Sequence, residues 1–283
     1  MSKDFRLGGD LPVNRLGFGA MRLPSRQGMR GPARDPEGGR AVLRRAVELG
    51  VNHLDTADYY FSGDGAVRAN TLIREALHPY PDGLVIATKV GPHVSLDGFS
   101  HGTAADMRGF VEANLDGLGV DRLDLVYLRV GARGGVPRGE SLADRFEALA
   151  ALREEGLIRH LGVSNVDVDH LAEARAIAPV AAVQNAYSAA KRGDVELLAA
   201  CEEAGIAFVP FWPTGGGEEF GGERLAKVAA RHGATVRQVG LAWLLAASPV
   251  VLAIPGTGSL AHLEDNVAAA DIVLTEEDLA DLA

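Results

Sequence analysis

The stretch Glu48-Leu-Gly-Val-Asn-His-Leu-Asp-Thr-Ala-Asp-Tyr-Tyr60 decides the fold. It reads as a helix end, a tight connection through Gly50, a short strand over residues 52–55 that stops on an acid, and a segment with a phenol five residues beyond that acid. The next β-rich run, residues 85–89, stops on Lys89, and a third, residues 123–129, stops on Arg129. Packing does not explain successive strands that finish in Asp, Lys and Arg, because a buried charge is costly unless paired and hydrogen-bonded.

Outward from this stretch the pattern repeats. Strands are predicted at residues 15–19, 52–55, 85–89, 123–129, 158–163, 181–185, 207–211 and 251–254, and helical patterns include residues 39–49, 66–77, 104–118, 142–154, 168–176, 194–204 and 236–245. Eight strands alternating with helices predict an α/β fold, the (β/α)8 TIM barrel, since a doubly wound sheet normally stops nearer five or six. Segments after strands are long and rich in Gly and Pro (residues 24–38, 91–102, 130–139 and 213–222), while those before strands are short, as at residues 155–157. In barrel enzymes the loops after strands carry the site. No repeat or low-complexity linker divides residues 1–283, so one domain is expected, with residues 4–13 as a small hairpin covering the barrel floor.

Composition removes several classes of function. The 283 residues hold 28 Lys and Arg against 38 Asp and Glu, and a net charge of −10 disfavours polyanionic partners, so no nucleic acid and no membrane surface is expected. The longest Ala/Leu stretch, residues 239–247, is far below the roughly 18 apolar residues of a membrane helix. Lys3, Asp4, Arg6 and Asp10 stand where a signal peptide would need its apolar core. The single cysteine, Cys201, excludes an internal disulfide and reads as a buried thiol in a helix. A cytoplasmic, soluble chain is expected, monomeric or homo-oligomeric.

Side chains alternate along strands, so Val85, Ala87 and Lys89 share one face, Leu125, Tyr127 and Arg129 another, and Val51, His53 and Asp55 a third. If these faces point inward, Lys89 and Arg129 reach the barrel mouth and His53 lies a layer below Asp55, as a core residue. A phenol is a poor proton donor at neutral pH, but a nearby ammonium stabilises its phenolate and lowers its pKa. Asp55 would neutralise and orient Lys89, and Lys89 would activate Tyr60. The His53/Asp55 pair finds no second histidine pair at ligand spacing, so no metal is expected.

The chain resembles the aldo-keto reductase family over nearly its whole length. The motifs that carry the resemblance are Leu16-Gly-Phe-Gly-Ala-Met21, Gly50 to Tyr60, Ala87-Thr-Lys89, Leu118-Gly-Val-Asp-Arg-Leu-Asp124, Ile158-Arg-His-Leu-Gly-Val-Ser-Asn165, Gln184-Asn-Ala-Tyr187 and Ile254-Pro-Gly-Thr257 with Asn266. The resemblance implies an NADPH-dependent reductase of a small-molecule aldehyde or ketone, with Tyr60 protonating the carbonyl oxygen. It implies that Ser164, Asn165 and Gln184 bond the nicotinamide carboxamide and that Phe211 stacks on its ring. Gly19, Ala20 and Met21 match the turn over the cofactor, and Trp212, Pro213, Thr214 and Gly215 lead into a loop along the pyrophosphate. Gly256, Thr257, Gly258, His262, Asp265 and Asn266 match the adenosine end. No GxGxxG fingerprint is present, so the nucleotide is not expected to bind in the Rossmann manner.

Two positions depart from the family pattern. Arg129 stands where a histidine commonly ends the fourth strand, and arginine offers several charged donors but no proton to release. It fits a clamp for a developing oxyanion or for an anionic substrate. Where many members have a lysine and an arginine for the adenosine 2′-phosphate, this chain has Gly256 and His262, which reduces the charge for NADP selection; the resemblance still implies NADPH, with NADH left open. Two further readings use the same residues: a nucleotide-binding barrel with a sensor or partner role, and a lyase or epimerase working beside a carbonyl. Cofactor bound without turnover marks the first, and product without NADPH consumption the second.

Overall fold

Short runs of branched and small residues, bounded by turns, make strands that bury both faces and therefore pair in parallel beneath helices. The computed structural model describes residues 4–27, 31–95, 98–131, 139–214 and 222–283. An antiparallel hairpin, β1 (Asp4–Leu7) and β2 (Leu11–Asn14), comes first. The sheet strands follow as β3 (Phe18–Gly19), β4 (His53–Asp55) and β5 (Val85–Val90). An antiparallel ribbon of β6 (Pro92–Val94) and β7 (Phe99–His101) then interrupts the loop after β5. The sheet continues with β8 (Leu123–Arg129), β9 (Ile158–Ser164), β10 (Val180–Gln184) and β11 (Ala207–Phe208). These seven pair in the order β11-β10-β9-β8-β5-β4-β3.

The predicted strand at residues 251–254 is present as isolated bridges that close the barrel. Val251 bridges Phe208, Ala253 bridges Leu16, and both bridges are parallel. Leu252 N donates to Phe208 O at 2.9 Å and Ala253 N to Arg15 O at 2.8 Å, so the ladder runs from β11 through residues 251–253 to residues 15–17. The buried Arg15 guanidinium locks this seam, donating to Val251 O, Leu245 O and Ser248 O.

The helices are α1 (Pro36–Glu48), α2 (Ala69–Leu77), α3 (Met107–Leu118), α4 (Ala143–Glu154), α5 (Val168–Ile177), α6 (Val195–Ala204), α7 (Glu223–His232), α8 (Val236–Ala247), α9 (Leu260–Ala268) and α10 (Glu276–Asp281). None is long and apolar enough to cross a membrane among the described residues. Alternation along the strands sorts the core into two clusters. Ile86, Val126, Leu128, Leu161 and Val183 face the helices, whereas Val85, Ala87, Leu125, Tyr127, Ala182 and Ala207 fill the barrel. Leu7, Leu11 and Val13 of the hairpin join the inner cluster and plug its lower end. Asp10, in the hairpin turn, accepts hydrogen bonds from Arg159 and lies 2.6 Å from His160 Nε2, which fixes the plug to β9.

Three expectations change in detail. Val51 precedes β4 and packs with the helix-facing cluster, so it does not share the inner face of His53 and Asp55. The helical pattern at residues 66–77 begins only at Ala69, because residues 62–67 form a turn held by Ser62 and Asp64. The loop at residues 91–102 contains the β6–β7 ribbon.

Candidate active site

Parallel register sets the predicted residues around one rim. Asp55 pairs with Gly19 on one side and Ala87 on the other. Lys89 lies two residues beyond Ala87 on that inner face, opposite Tyr127. Arg129 pairs with Ser164, which pairs with Gln184, and Phe211 bridges Ala186 two residues past Gln184. All these side chains therefore converge at the carboxyl ends of the strands, the face where barrel enzymes carry their chemistry.

Asp55 and Lys89 are both buried, and Lys89 Nζ donates to Asp55 Oδ1 at 2.5 Å and to Thr56 O at 2.9 Å. The other carboxylate oxygen, Oδ2, accepts from Gln184 Nε2 at 2.7 Å. A buried polar network behind the rim holds this arrangement. Thr56 Oγ1 donates to Asn70 Oδ1, while Asn114 Oδ1 accepts from Asn70 Nδ2 and Thr88 Oγ1, which ties α2 and α3 to the ends of β4 and β5. Sequence reasoning missed Asn70 and Asn114; their signal was an amide on each helix's inward stripe.

Tyr60 is placed by its backbone: its N–H donates to Ala57 O and its carbonyl accepts from Ala69 N at the start of α2. The Lys89 ammonium lies over its ring, 5.0 Å from the centroid. The sequence argument had Lys89 lowering the Tyr60 pKa; here burial dominates. Burial, followed by the Asp55 carboxylate, pushes the phenol well above its ordinary range, and Arg129 opposes. A phenol shifted in this direction stays protonated at neutral pH, with the Lys89 ammonium over its ring and the Arg129 charge opposing the shift. Tyr59, packed edge-to-face against Tyr60 at 5.3 Å, has a buried hydroxyl with no hydrogen-bond partner among the described residues.

Arg129 points into the site. Its Nη1 donates to Ser164 Oγ at 3.2 Å, and its guanidinium lies over the Phe211 ring, 5.1 Å from the centroid. Burial holds His53 neutral, its pKa lowered to about 4, against the opposing pull of Asp55 and a hydrogen bond at the Asn14 backbone. Asn165 adopts left-handed backbone (φ 62°), its Nδ2 donating to Val130 O at 2.7 Å. A cavity of about 480 Å³ opens beside Lys89 and Tyr59, walled by Asp58, Arg68, His93 and Phe110.

The remaining motif residues extend this rim outward. Gly19 and Gly256 touch: a Cβ on Gly256 would lie 2.5 Å from Gly19 O. Ala20 is buried, Met21 half-buried and Pro213 buried, while Trp212 and Thr214 are partly exposed. Thr257, Gly258 and Ser259 lead into α9, whose His262 and Asp265 are exposed and Asn266 partly so. Gly215 lies outside the described residues.

The aldo/keto reductase family model matches residues 15–283. The chain belongs to the aldo-keto reductase family. Pyridoxine 4-dehydrogenase of Escherichia coli K12 is 45% identical to this aldo-keto reductase, over 99% of this chain and 97% of that one. An aldo-keto reductase from Klebsiella pneumoniae, solved with NADP and acetate, superposes with a TM-score of 0.82 at 29% identity, covering 100% of this chain and 94% of that one. A thermostable aldo-keto reductase bound to the inhibitor epalrestat gives 0.82 at 31% identity, over 99% and 98% of the two chains. These similarities establish the barrel.

Proposed function

We propose that this aldo-keto reductase interconverts an aldehyde and its alcohol with NADP(H), and that pyridoxal and pyridoxine are the couple. The observation that carries this reading is the buried Asp55–Lys89 pair beside Tyr60 at the rim, in a chain 45% identical to a pyridoxine 4-dehydrogenase. The rim suits a nicotinamide. Gln184, held through its Nε2 by Asp55, and Ser164, bonded to Arg129, put an amide and a hydroxyl side by side at the strand ends. Ser164, Asn165 and Gln184 would hold that carboxamide, and Phe211 offers a ring face. Gly19, Ala20 and Met21 would lie over the cofactor, with Trp212, Pro213 and Thr214 leading along its phosphates.

When bound, NADPH supplies the hydride that the carbonyl carbon accepts. Tyr60 gives its hydroxyl proton to the carbonyl oxygen, so aldehyde and reduced cofactor become alcohol and NADP⁺. Lys89 and Arg129 stabilise the phenolate left on Tyr60 until solvent returns a proton, and the ion pair with Asp55 holds Lys89 in place. Arg129 serves the oxygen side. Pyridoxal carries an acidic ring hydroxyl next to its aldehyde, and a guanidinium with paired donors fits the two neighbouring oxygens as it fits a carboxylate.

The test is reduction of pyridoxal by the purified protein, followed as loss of reduced-nicotinamide absorbance alongside a panel of other aldehydes and ketones. Stoichiometric consumption of NADPH with formation of pyridoxine supports the proposal. NADPH that binds but is never oxidised would point to a sensor or partner role, and product without NADPH consumption to a non-redox lyase or epimerase.

A further inference from the structure

We propose that Arg34, flanked by Arg22 and Arg26, forms the binding site for the adenosine 2′-phosphate of NADP(H). This rests on the reading of NADP(H) as the cofactor.

The start of α9 has the hydroxyls of Thr257 and Ser259 but little charge of its own. Thr257 Oγ1 accepts from Ser259 N at 3.1 Å, and Ser259 Oγ caps the helix through His262 N at 3.5 Å. A helix N-terminus attracts anions, yet selecting a phosphomonoester over a hydroxyl calls for a fixed cation. Position 256 is closed to a long side chain in this backbone, because even a Cβ there meets the Gly19 carbonyl at 2.5 Å. His262 is exposed. The cation has to come from another segment.

The loop after β3 supplies it. Ser25 bridges Ala33 and Arg34 N donates to Pro24 O at 2.9 Å, closing that loop on itself. The closure delivers Arg34 Nη2 to Gly258 O at 2.7 Å. The guanidinium lies so near the Gly258 backbone that a Cβ at that position would be 2.5 Å from Arg34 Cζ. Arg22 Nη1 donates to Arg26 O, and after burial the charges of Arg26 and Arg22 are what lower the Arg34 pKa. Among the described residues no ion pair joins any of the three to an acid.

Three arginine charges that act on one another, with no ion pair to an acid among the described residues, form a local cation cluster on a chain whose net charge is −10. A phosphomonoester dianion relieves their mutual repulsion and presents oxygens to the guanidinium forks, which a ribose hydroxyl does not. Gly258, between Thr257 and the Ser259 cap, places Arg34 where the same phosphate meets the α9 amides.

Equilibrium titration of wild type, Arg34→Met and Arg34→Lys with NADPH and NADH, read by nicotinamide fluorescence, tests the site without turnover. Competition by 2′,5′-ADP and by pyridoxal 5′-phosphate identifies which phosphate is held. Arg34→Met should weaken NADPH and 2′,5′-ADP by about tenfold or more, as expected for loss of a charged hydrogen bond. NADH affinity should stay unchanged, which also shows that the variant is folded, and Arg34→Lys should fall between. The proposal is overturned if Arg34→Met leaves NADPH affinity intact, weakens both nucleotides equally, or affects pyridoxal 5′-phosphate alone. Wild type binding NADH as tightly as NADPH would instead overturn the cofactor reading beneath it.

Discussion

Asp55 and Lys89 close a buried ion pair of 2.5 Å between adjacent strands, and the same carboxylate accepts from Gln184 across the barrel mouth. Removing one partner of such a pair strands the other charge, at a cost of about 3–5 kcal/mol. Lys89→Met should therefore lower stability by an amount of that order in urea unfolding, and lower kcat by about 10² or more. A Lys89→Met, Asp55→Leu double variant should recover much of the stability and none of the turnover. Turnover retained by the single variant would remove Lys89 from the chemistry.

Arg129 lies between Ser164 and Phe211, and the proposed function gives it the carbonyl oxygen. Arg129→Met should reduce kcat/KM for pyridoxal and for salicylaldehyde, which also has a hydroxyl beside its aldehyde, by about tenfold or more. Benzaldehyde, which lacks that hydroxyl, should lose less. An equal loss on all three aldehydes would assign Arg129 to general oxyanion stabilisation and not to recognition of the neighbouring hydroxyl.

His53 gives the fold an acid sensitivity. Its pKa is depressed to about 4 by burial, so below its ordinary value of 6.5 the unfolded chain takes up a proton that the folded chain refuses. The contribution is fully present above about 6.5 and is lost as pH falls toward about 4, on the order of 3 kcal/mol in all. Urea unfolding at successive pH values should show this slope in wild type and a shallower one in His53→Leu. Equal slopes would show that other groups govern the acid limb.

Cys201 is buried in α6, and burial pushes its thiol up to about 12. A protonated, inaccessible thiol is inert. Reaction with an aromatic disulfide reagent should be negligible in the native protein and stoichiometric in denaturant. Rapid native labelling would show that α6 opens locally.

The barrel was legible because hydrophobic runs alternate with helical stripes, and the rim because Asp55, Lys89 and Arg129 end their strands with charge. What escaped notice depended on distance in sequence or on burial. Helix α7 follows the Gly-rich segment before residue 223 and shows only Leu225, Val228 and Ala229 as a buried stripe. The β6–β7 ribbon is mostly exposed, so it has no apolar alternation to reveal it. Arg34 gains meaning only when its loop folds onto Gly258, more than 200 positions away in the chain.

The Tyr60 ionisation illustrates the same limit. Charge type is written in the sequence, and Lys89 lies between the Asp55 carboxylate and the Tyr60 ring. Depth is not, and burial outweighs the ammonium in setting the phenol's direction of shift. Proton donation by a buried, fully protonated tyrosine then depends on the cations around it rather than on a lowered resting pKa.

Tyr60→Phe tests the proton-transfer role most directly, because it removes one oxygen and keeps the ring against Tyr59 and Lys89. Single-turnover reduction of pyridoxal by the NADPH-loaded variant should slow by about 10² to 10⁴, while NADPH affinity by fluorescence titration stays at the wild-type value. Hydride transfer at the wild-type rate in Tyr60→Phe would contradict the assignment of Tyr60 as the proton donor.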